Sequence, residues 1–179
     1  NLFRRLFAAS EKWGMKVEFA TQAEPKGIAQ AFLIAEKYLG GESCALILGD
    51  NIFHGHRLSR LLQEAAANQQ GAVILSCLTS DPHQYGVVEV DAAGAPVSIE
   101  EKPGSPKSNQ AITGLYFYDN AVVDMAKSLQ PSARGELEIS DLNRIYLERG
   151  DLAVKQLRRG HAWFDAGSPE MLLEAGQFI

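Results

Sequence analysis

Apolar positions along this chain recur in two alternating rhythms. Leu2, Phe3, Leu6, Phe7 and the stretch 9–13 fall at helical spacing, and Gly14 is placed to cap them. Residues 15–20 alternate apolar with polar and predict a short strand. After a loop over 21–26 containing Pro25, residues 27–39 predict a helix stopped by Gly40 and Gly41. The apolar run 44–48 predicts a buried strand, 58–68 an amphipathic helix with Leu58, Leu61, Leu62 and Ala65 on one face, and 72–78 another apolar strand.

This alternation predicts a parallel sheet covered by helices on both faces. The middle of the chain changes character. Residues 87–90 and 97–101, joined by a turn at 92–94, predict a β-hairpin, and 103–109 is a Pro/Ser/Gly/Lys loop. A strand at 111–118, helices at 121–129 and from Ser140 or Asp141 to Glu148, and a strand at 152–157 follow. Ser168, Pro169 and Glu170 supply an N-cap, a first-turn proline and an early acid for a last helix. There is no internal repeat and no low-complexity segment.

Composition narrows the picture. With 179 residues, 46% of them hydrophobic and 22% charged, the chain matches one globular domain. A net charge of −5 and a pI near 5.4 disfavour non-specific nucleic-acid binding but leave room for a small phosphorylated ligand. Cys44 and Cys77 lie in strand-like runs and read as small buried hydrophobes in a reducing compartment. No run is long enough to span a bilayer and no signal peptide is recognised, so the expected location is the cytoplasm. The start at Asn1 inside a helical pattern and the stop at Ile179, before any polar stop signal, are expected of a fragment of a larger protein.

Chemistry concentrates at element ends. Asp50 closes the apolar run 44–48 through Gly49. An acid at a strand tip of an α/β sheet stands where ligands bind and can hold a metal, though Asp-Asn also serves as a turn or a helix N-cap. Gly27 follows the Pro25 loop, where backbone can approach a ligand closely, and Gln22 offers the donor and acceptor that suit a nucleobase edge; a plain helix start reads the same. Gly86 beside a strand marks a bulge or a close approach, or a plain strand entry. In EEKP (100–103), Glu101 faces opposite to Glu100 and Lys102, so one side can address a pocket, although a charged strand end is also an ordinary solvated edge. Asp165, in WFDAG (163–167), is either a second carboxylate for the ion of Asp50 or an acid favouring the next helix. Arg134 can grip a phosphate by its planar fork or lie on the surface. The four histidines form no catalytic or zinc pattern, and His54 and His56 read as exposed loop.

Seven segments in order, GIAQA (27–31), LGDNIF (48–53), YGVV (85–88), EEKP (100–103), TGLYFYD (113–119), RGELEI (134–139) and WFDAG (163–167), resemble the glucose-1-phosphate thymidylyltransferases. The resemblance covers almost the whole chain. It implies an α/β, Rossmann-like, mostly parallel sheet with helices on both faces, as a single partial domain over 1–179 truncated at both ends. It implies an enzyme, a nucleotidyltransferase that joins thymidylyl from dTTP to glucose 1-phosphate for dTDP-rhamnose and cell-surface polysaccharide synthesis. A uridylyltransferase of the same superfamily and a non-catalytic sugar-phosphate-binding module are the alternatives. Asp50 and Asp165 are implied to hold Mg²⁺. Gln22, Pro25 and Gly27 would meet the nucleotide, and Gly86, Glu101, Ile112 and Tyr116 the sugar, with Val the residue expected in place of Ile112. Lys102 and Arg134 would face the sugar phosphate. Arg159, in LRRG (157–160), would touch a regulatory nucleotide, with Arg158 standing where Gly is expected. A homotetramer is implied. The family's G-x-G-T-R loop, which cradles the triphosphate, has no match in these 179 residues, nor do the family's C-terminal helices, so the fragment alone is expected to be inactive and to expose strand edges.

Overall fold

The computed structural model describes residues 2–68 and 70–178. Its main sheet has six strands: β1 (Cys44–Ile47), β3 (Ala72–Leu78), β4 (Gly86–Val90), β5 (Pro96–Glu101), β6 (Gln110–Tyr118) and β7 (Leu152–Leu157). Two more, β2 (Asn51–Gly55) and β8 (His161–Asp165), pair with each other as a separate antiparallel ribbon. The helices are α1 (Leu2–Leu6), continued by a 3₁₀ segment Phe7–Trp13, then α2 (Gln30–Leu39), α3 (Leu58–Ala66), α4 (Val122–Ser128), α5 (Ile139–Glu148) and α6 (Pro169–Phe178).

The long strand β6 organises the sheet. It runs antiparallel to β3 along one edge, and its other edge is shared by β4 at Ala111 and by β1 at residues 115–118. The one parallel pair among the described strands is β3 with β7. The sheet is therefore mixed rather than mostly parallel. The apolar runs were ambiguous on this point, because a strand buried on both faces reads the same in either direction. Helices do cover both faces. Ile74 and Tyr116 point into a core closed by α2, α4 and α5, while Leu75, Leu115 and Leu157 pack against Leu61 and Leu62 of α3.

The predicted hairpin, the strands at 72–78, 111–118 and 152–157 and the caps at Gly14 and Ser168 appear within a residue or two of their expected bounds. Gly14 takes the left-handed conformation (φ 69°), and Ser168 Oγ accepts from the Met171 amide at 3.2 Å. Three expectations need correction. Residues 15–20 form no strand: Val17 and Phe19 do alternate inward, but no strand among the described residues lies beside them. The run at 44–48 is not fully buried. Its strand pairs with β6 alone among the described residues, Ala45 is exposed, and Ile47 is 58% exposed. Cys44 and Cys77 are accordingly half-buried, although their surroundings still push both thiols up from the ordinary value.

Candidate active site

The tip of β1 turns sharply into β2 instead of starting a helix, which removes the N-cap reading of Asp50. The Asn51 amide closes the turn on the Leu48 carbonyl at 3.1 Å. The register of the ribbon then sets Asn51 opposite Asp165, and the Ala166 amide donates to the Asp50 carbonyl at 2.8 Å. These links bring two acids from distant parts of the chain together. Asp50 Oδ2 and Asp165 Oδ1 each lie 3.4 Å from the point where a Cβ on Gly167 would stand. Partial burial, and next the nearby Asp50 carboxylate, push the Asp165 carboxyl up, while the Gly167 amide and Lys102 hold it down.

Beside this pair opens a cleft of about 220 Å³. Gly86, Glu101, Lys102, Ile112, Tyr116, Arg134 and Asp165 all line it, so seven predicted site residues meet in one place. Gly86 is opposite Glu101 across β4 and β5. A methyl at Gly86 would lie 2.9 Å from Ser140 Oγ and 3.3 Å from Glu101 Oε2, so the glycine marks a close approach. Ser140 donates a short hydrogen bond to Glu101 Oε2. Tyr116 is 3% exposed, and burial raises its hydroxyl far above the ordinary phenol range, which keeps it a neutral donor.

Lys102 was expected on the face opposite Glu101, but both line the cleft. The strand alternation ends at Glu101 because Lys102 adopts a left-handed backbone (φ 41°), with its amide bonded to the Tyr85 carbonyl at 3.1 Å. Such a conformation is uncommon for a residue with a side chain and is found at functional sites.

Arg134 is at the cleft but is not a free cation. Its guanidinium grips Glu138, with Nη2 at 3.0 and 2.9 Å from the two carboxylate oxygens, and it lies 3.8 Å from Glu101 and 3.7 Å from Glu136. Gln22, Pro25 and Gly27 stand outside the lining of the cleft. The Gln22 amide donates to the Gly27 carbonyl (3.1 Å) and to Gln30 Oε1 (2.6 Å). Gly27 (φ 96°) packs on the Leu137 backbone, where a Cβ would sit 2.6 Å from the Leu137 nitrogen. The Ala29 amide is used by the Leu137 carbonyl. This loop is thereby stitched to the segment that carries Arg134. Arg158 and Arg159 lie in the turn between β7 and β8, and His54 is on β2 rather than in a loop, though exposed as expected.

Sequence reasoning gave no role to Asn51, Trp163, Glu138 or Ser140. Trp163 lines the cleft, meets Tyr85 edge to face (5.1 Å between centroids) and donates to Asn51 Oδ1 at 2.6 Å. Ser140 and Glu138 are both almost fully buried. The readable signal was adjacency: Asn51 follows Asp50, and Ser140 follows a matched segment.

The family model for Nucleotidyl transferase matches residues 1–179. The chain belongs to the nucleotidyl transferase family. It is 49% identical over 178 residues to a glucose-1-phosphate thymidylyltransferase of Xanthomonas campestris pv. campestris, covering 99% of this chain and 60% of that protein. The Neisseria gonorrhoeae glucose-1-phosphate thymidylyltransferase is 51% identical over 177 residues, covering 99% and 62%. The chain thus spans about three fifths of the length of these curated relatives. A Bacillus anthracis protein described as a glucose-1-phosphate thymidylyltransferase, crystallised with sucrose, superposes with a TM-score of 0.87 at 36% identity, over 98% of this chain and 70% of that one. A UDP-glucose pyrophosphorylase complexed with UDP-glucose shares the fold at a TM-score of 0.82 and 21% identity, over 99% and 71%. These neighbours bear out the α/β nucleotidyltransferase fold.

Within such a family, two convergent carboxylates have a chemical use. Among the described residues no set of three or more His, Cys, Asp or Glu forms a metal cage. Mg²⁺ commonly takes only one or two carboxylates and completes its shell with water and substrate phosphates. The hard oxygen donors of Asp50 and Asp165, the latter raised by burial first and by Asp50 second, are of the type that a hard divalent cation takes.

Proposed function

We propose that the protein carrying this chain transfers thymidylyl from dTTP to glucose 1-phosphate. A phosphate oxygen of glucose 1-phosphate forms a bond to the α-phosphorus of dTTP, the bond from that phosphorus to the bridging oxygen breaks, and pyrophosphate leaves. The observation that carries this reading is the convergence of Asp50 on Asp165, which lines a cleft that also holds Glu101, Lys102 and Arg134. The choice of dTTP and glucose 1-phosphate is supported by the names of relatives about 50% identical to this chain.

In this reading Glu101, oriented by Ser140, accepts sugar hydroxyls, and Gly86, Ile112 and Tyr116 shape the sugar pocket. Lys102 and Arg134 face the sugar phosphate. For Arg134 this means exchanging part of its contact with Glu101 and Glu136 for the ligand while Glu138 holds it. Gln22, Pro25 and Gly27 meet the nucleobase. Asp50 and Asp165 hold Mg²⁺, which when bound offsets charge on the reacting phosphates. Supply of dTDP-glucose for rhamnose-containing polysaccharide, a cytoplasmic location and a homotetramer belong to the same reading. Among the described residues no helix is long and apolar enough to cross a membrane.

The full-length protein, assayed for pyrophosphate release with glucose 1-phosphate, is expected to prefer dTTP; a clear preference for UTP would move it to the uridylyl branch. For the 179-residue chain by itself we propose sugar-phosphate binding without turnover, since the sugar side of the cleft is present and no G-x-G-T-R loop occurs in the sequence. Detectable turnover by the isolated chain would overturn that second reading.

A further inference from the structure

Asn51 occupies a position that the chemistry above does not use. Its side-chain oxygen accepts two hydrogen bonds, from the Gly114 amide of β6 at 2.9 Å and from Trp163 Nε1 of β8 at 2.6 Å. Its amide nitrogen donates to Asp50 Oδ1 at 2.9 Å. Both acceptor sites of the oxygen are then filled. The orientation of the amide is forced, because turning it over would face its NH₂ against two N–H donors and its oxygen against a carboxylate. The seat itself is built for this group: a methyl at Gly114 would lie 2.7 Å from the Asn51 amide carbon. One side chain thus ties the main sheet, the β2–β8 ribbon and the wall of the cleft to one oxygen of Asp50. The other oxygen, Oδ2, is left on the side where Asp165 converges.

We infer that Asn51 is a positioning residue: through its amide donor it fixes the rotation of Asp50, so that Oδ2 and not Oδ1 is presented toward Asp165. The inference rests on the proposed reading of Asp50 and Asp165 as the cation-holding pair and assigns what aims one of them. Groups hydrogen-bonded to metal-binding carboxylates typically influence affinity or activity by about 10- to 100-fold.

Two variants of the full-length protein separate aiming from packing. Asn51→Asp keeps an oxygen for Gly114 and Trp163 but replaces the donor facing Asp50. Gly114→Ala keeps the amide and displaces it. Each is compared with wild type by kcat, by KM for glucose 1-phosphate, by melting temperature without metal, and by the EPR spectrum of bound Mn²⁺. The expected result is a kcat lowered by about 10-fold or more in both variants, KM for glucose 1-phosphate within a factor of about two, and an altered Mn²⁺ spectrum. In Asn51→Asp the melting temperature without metal should fall, because the new carboxylate faces Asp50, so kcat and the Mn²⁺ spectrum are read well below it. Wild-type kcat and an unchanged Mn²⁺ spectrum in either folded variant would overturn the inference. So would losses that track the melting temperature alone. A wild-type protein that binds Mn²⁺ but releases no pyrophosphate would instead overturn the proposed reaction, and the Mn²⁺ spectra of the variants would still decide the role of Asn51.

Discussion

Asp50 Oδ2 and Asp165 Oδ1 each approach to within 3.4 Å of one point above Gly167, although they come from distant parts of the chain. Like charges held this close oppose folding unless something neutralises them. The first consequence concerns stability. The Asp165 carboxyl is raised in the folded state, by burial first and by Asp50 second. A raised acid favours the fold fully below its unfolded pKa, and that contribution is lost as pH rises through the folded value. At neutral pH without metal, Asp165 is therefore a destabilising group. Asp165→Asn is expected to raise the melting temperature of the metal-free protein at pH 7, with the gain shrinking toward about pH 4 and below. Thermal melts across that range check the sign.

The same crowding predicts a response to divalent cations. Mg²⁺ or Mn²⁺ should raise the melting temperature of the wild-type protein, by the equivalent of about 2.7 kcal/mol at a hundredfold excess over Kd. Asp50→Asn and Asp165→Asn should each lose most of that response while remaining folded. Equal shifts in all three proteins would place the ion elsewhere.

Gly86→Ala tests the sugar side of the cleft. The added methyl would press on Ser140 Oγ and Glu101 Oε2. Overpacking of this kind costs about 1–3 kcal/mol, and here it falls on the pair whose alignment presents Glu101. Calorimetry with glucose 1-phosphate is expected to show affinity lowered by about 10-fold or more, and a wild-type titration curve would remove Glu101 from the hydroxyl-accepting role.

Arg134 and Glu138 should respond unequally to truncation. Glu138 is 8% exposed, and its carboxylate is met by Arg134 and by Ser132 Oγ at 2.7 Å. Arg134→Ala strands a buried acid, whereas Glu138→Gln leaves an arginine that water can reach. Breaking a fully buried pair costs about 3–5 kcal/mol. The half-exposed side chain of Arg134 lowers this to about 2 kcal/mol. Urea denaturation should show Arg134→Ala to be the more damaging change, and Arg134→Ala should also weaken binding of the sugar phosphate.

Much of the architecture was legible because burial leaves a periodic trace. The strand 152–157 and the hairpin at 87–101 announce themselves by apolar alternation and turn residues, and the N-cap at Ser168 by side-chain chemistry. What stayed hidden depends on pairing between distant segments. The ribbon strands Asn51–Gly55 and His161–Asp165 are short and half-buried, so neither carries a period of its own. Each is a strand because of the other, and tertiary context overrides local preference in such cases. The side on which Lys102 emerges was equally unreadable, because strand alternation predicts the far face and a single left-handed residue reverses it. Asp50 and Asp165 could be nominated separately from their settings. Their meeting, and the amide of Asn51 between the sheet and the acid, required the fold.

The pairing of β2 with β8 has a consequence in time as well as in space. Two strands of five residues, separated by more than half the chain, make the longest-range pairing among the described strands. Long-range pairings meet their loop-closure entropy before any contact offsets it, and small peripheral units open more readily than the main core. The acids are therefore expected to come together late in folding and to part early in unfolding. Hydrogen exchange should find the amides of residues 51–55 and 161–165 less protected than those of β3 and β6. A cation that bridges the two acids would then act as a latch, slowing the escape of the ribbon while leaving the central strands as they were.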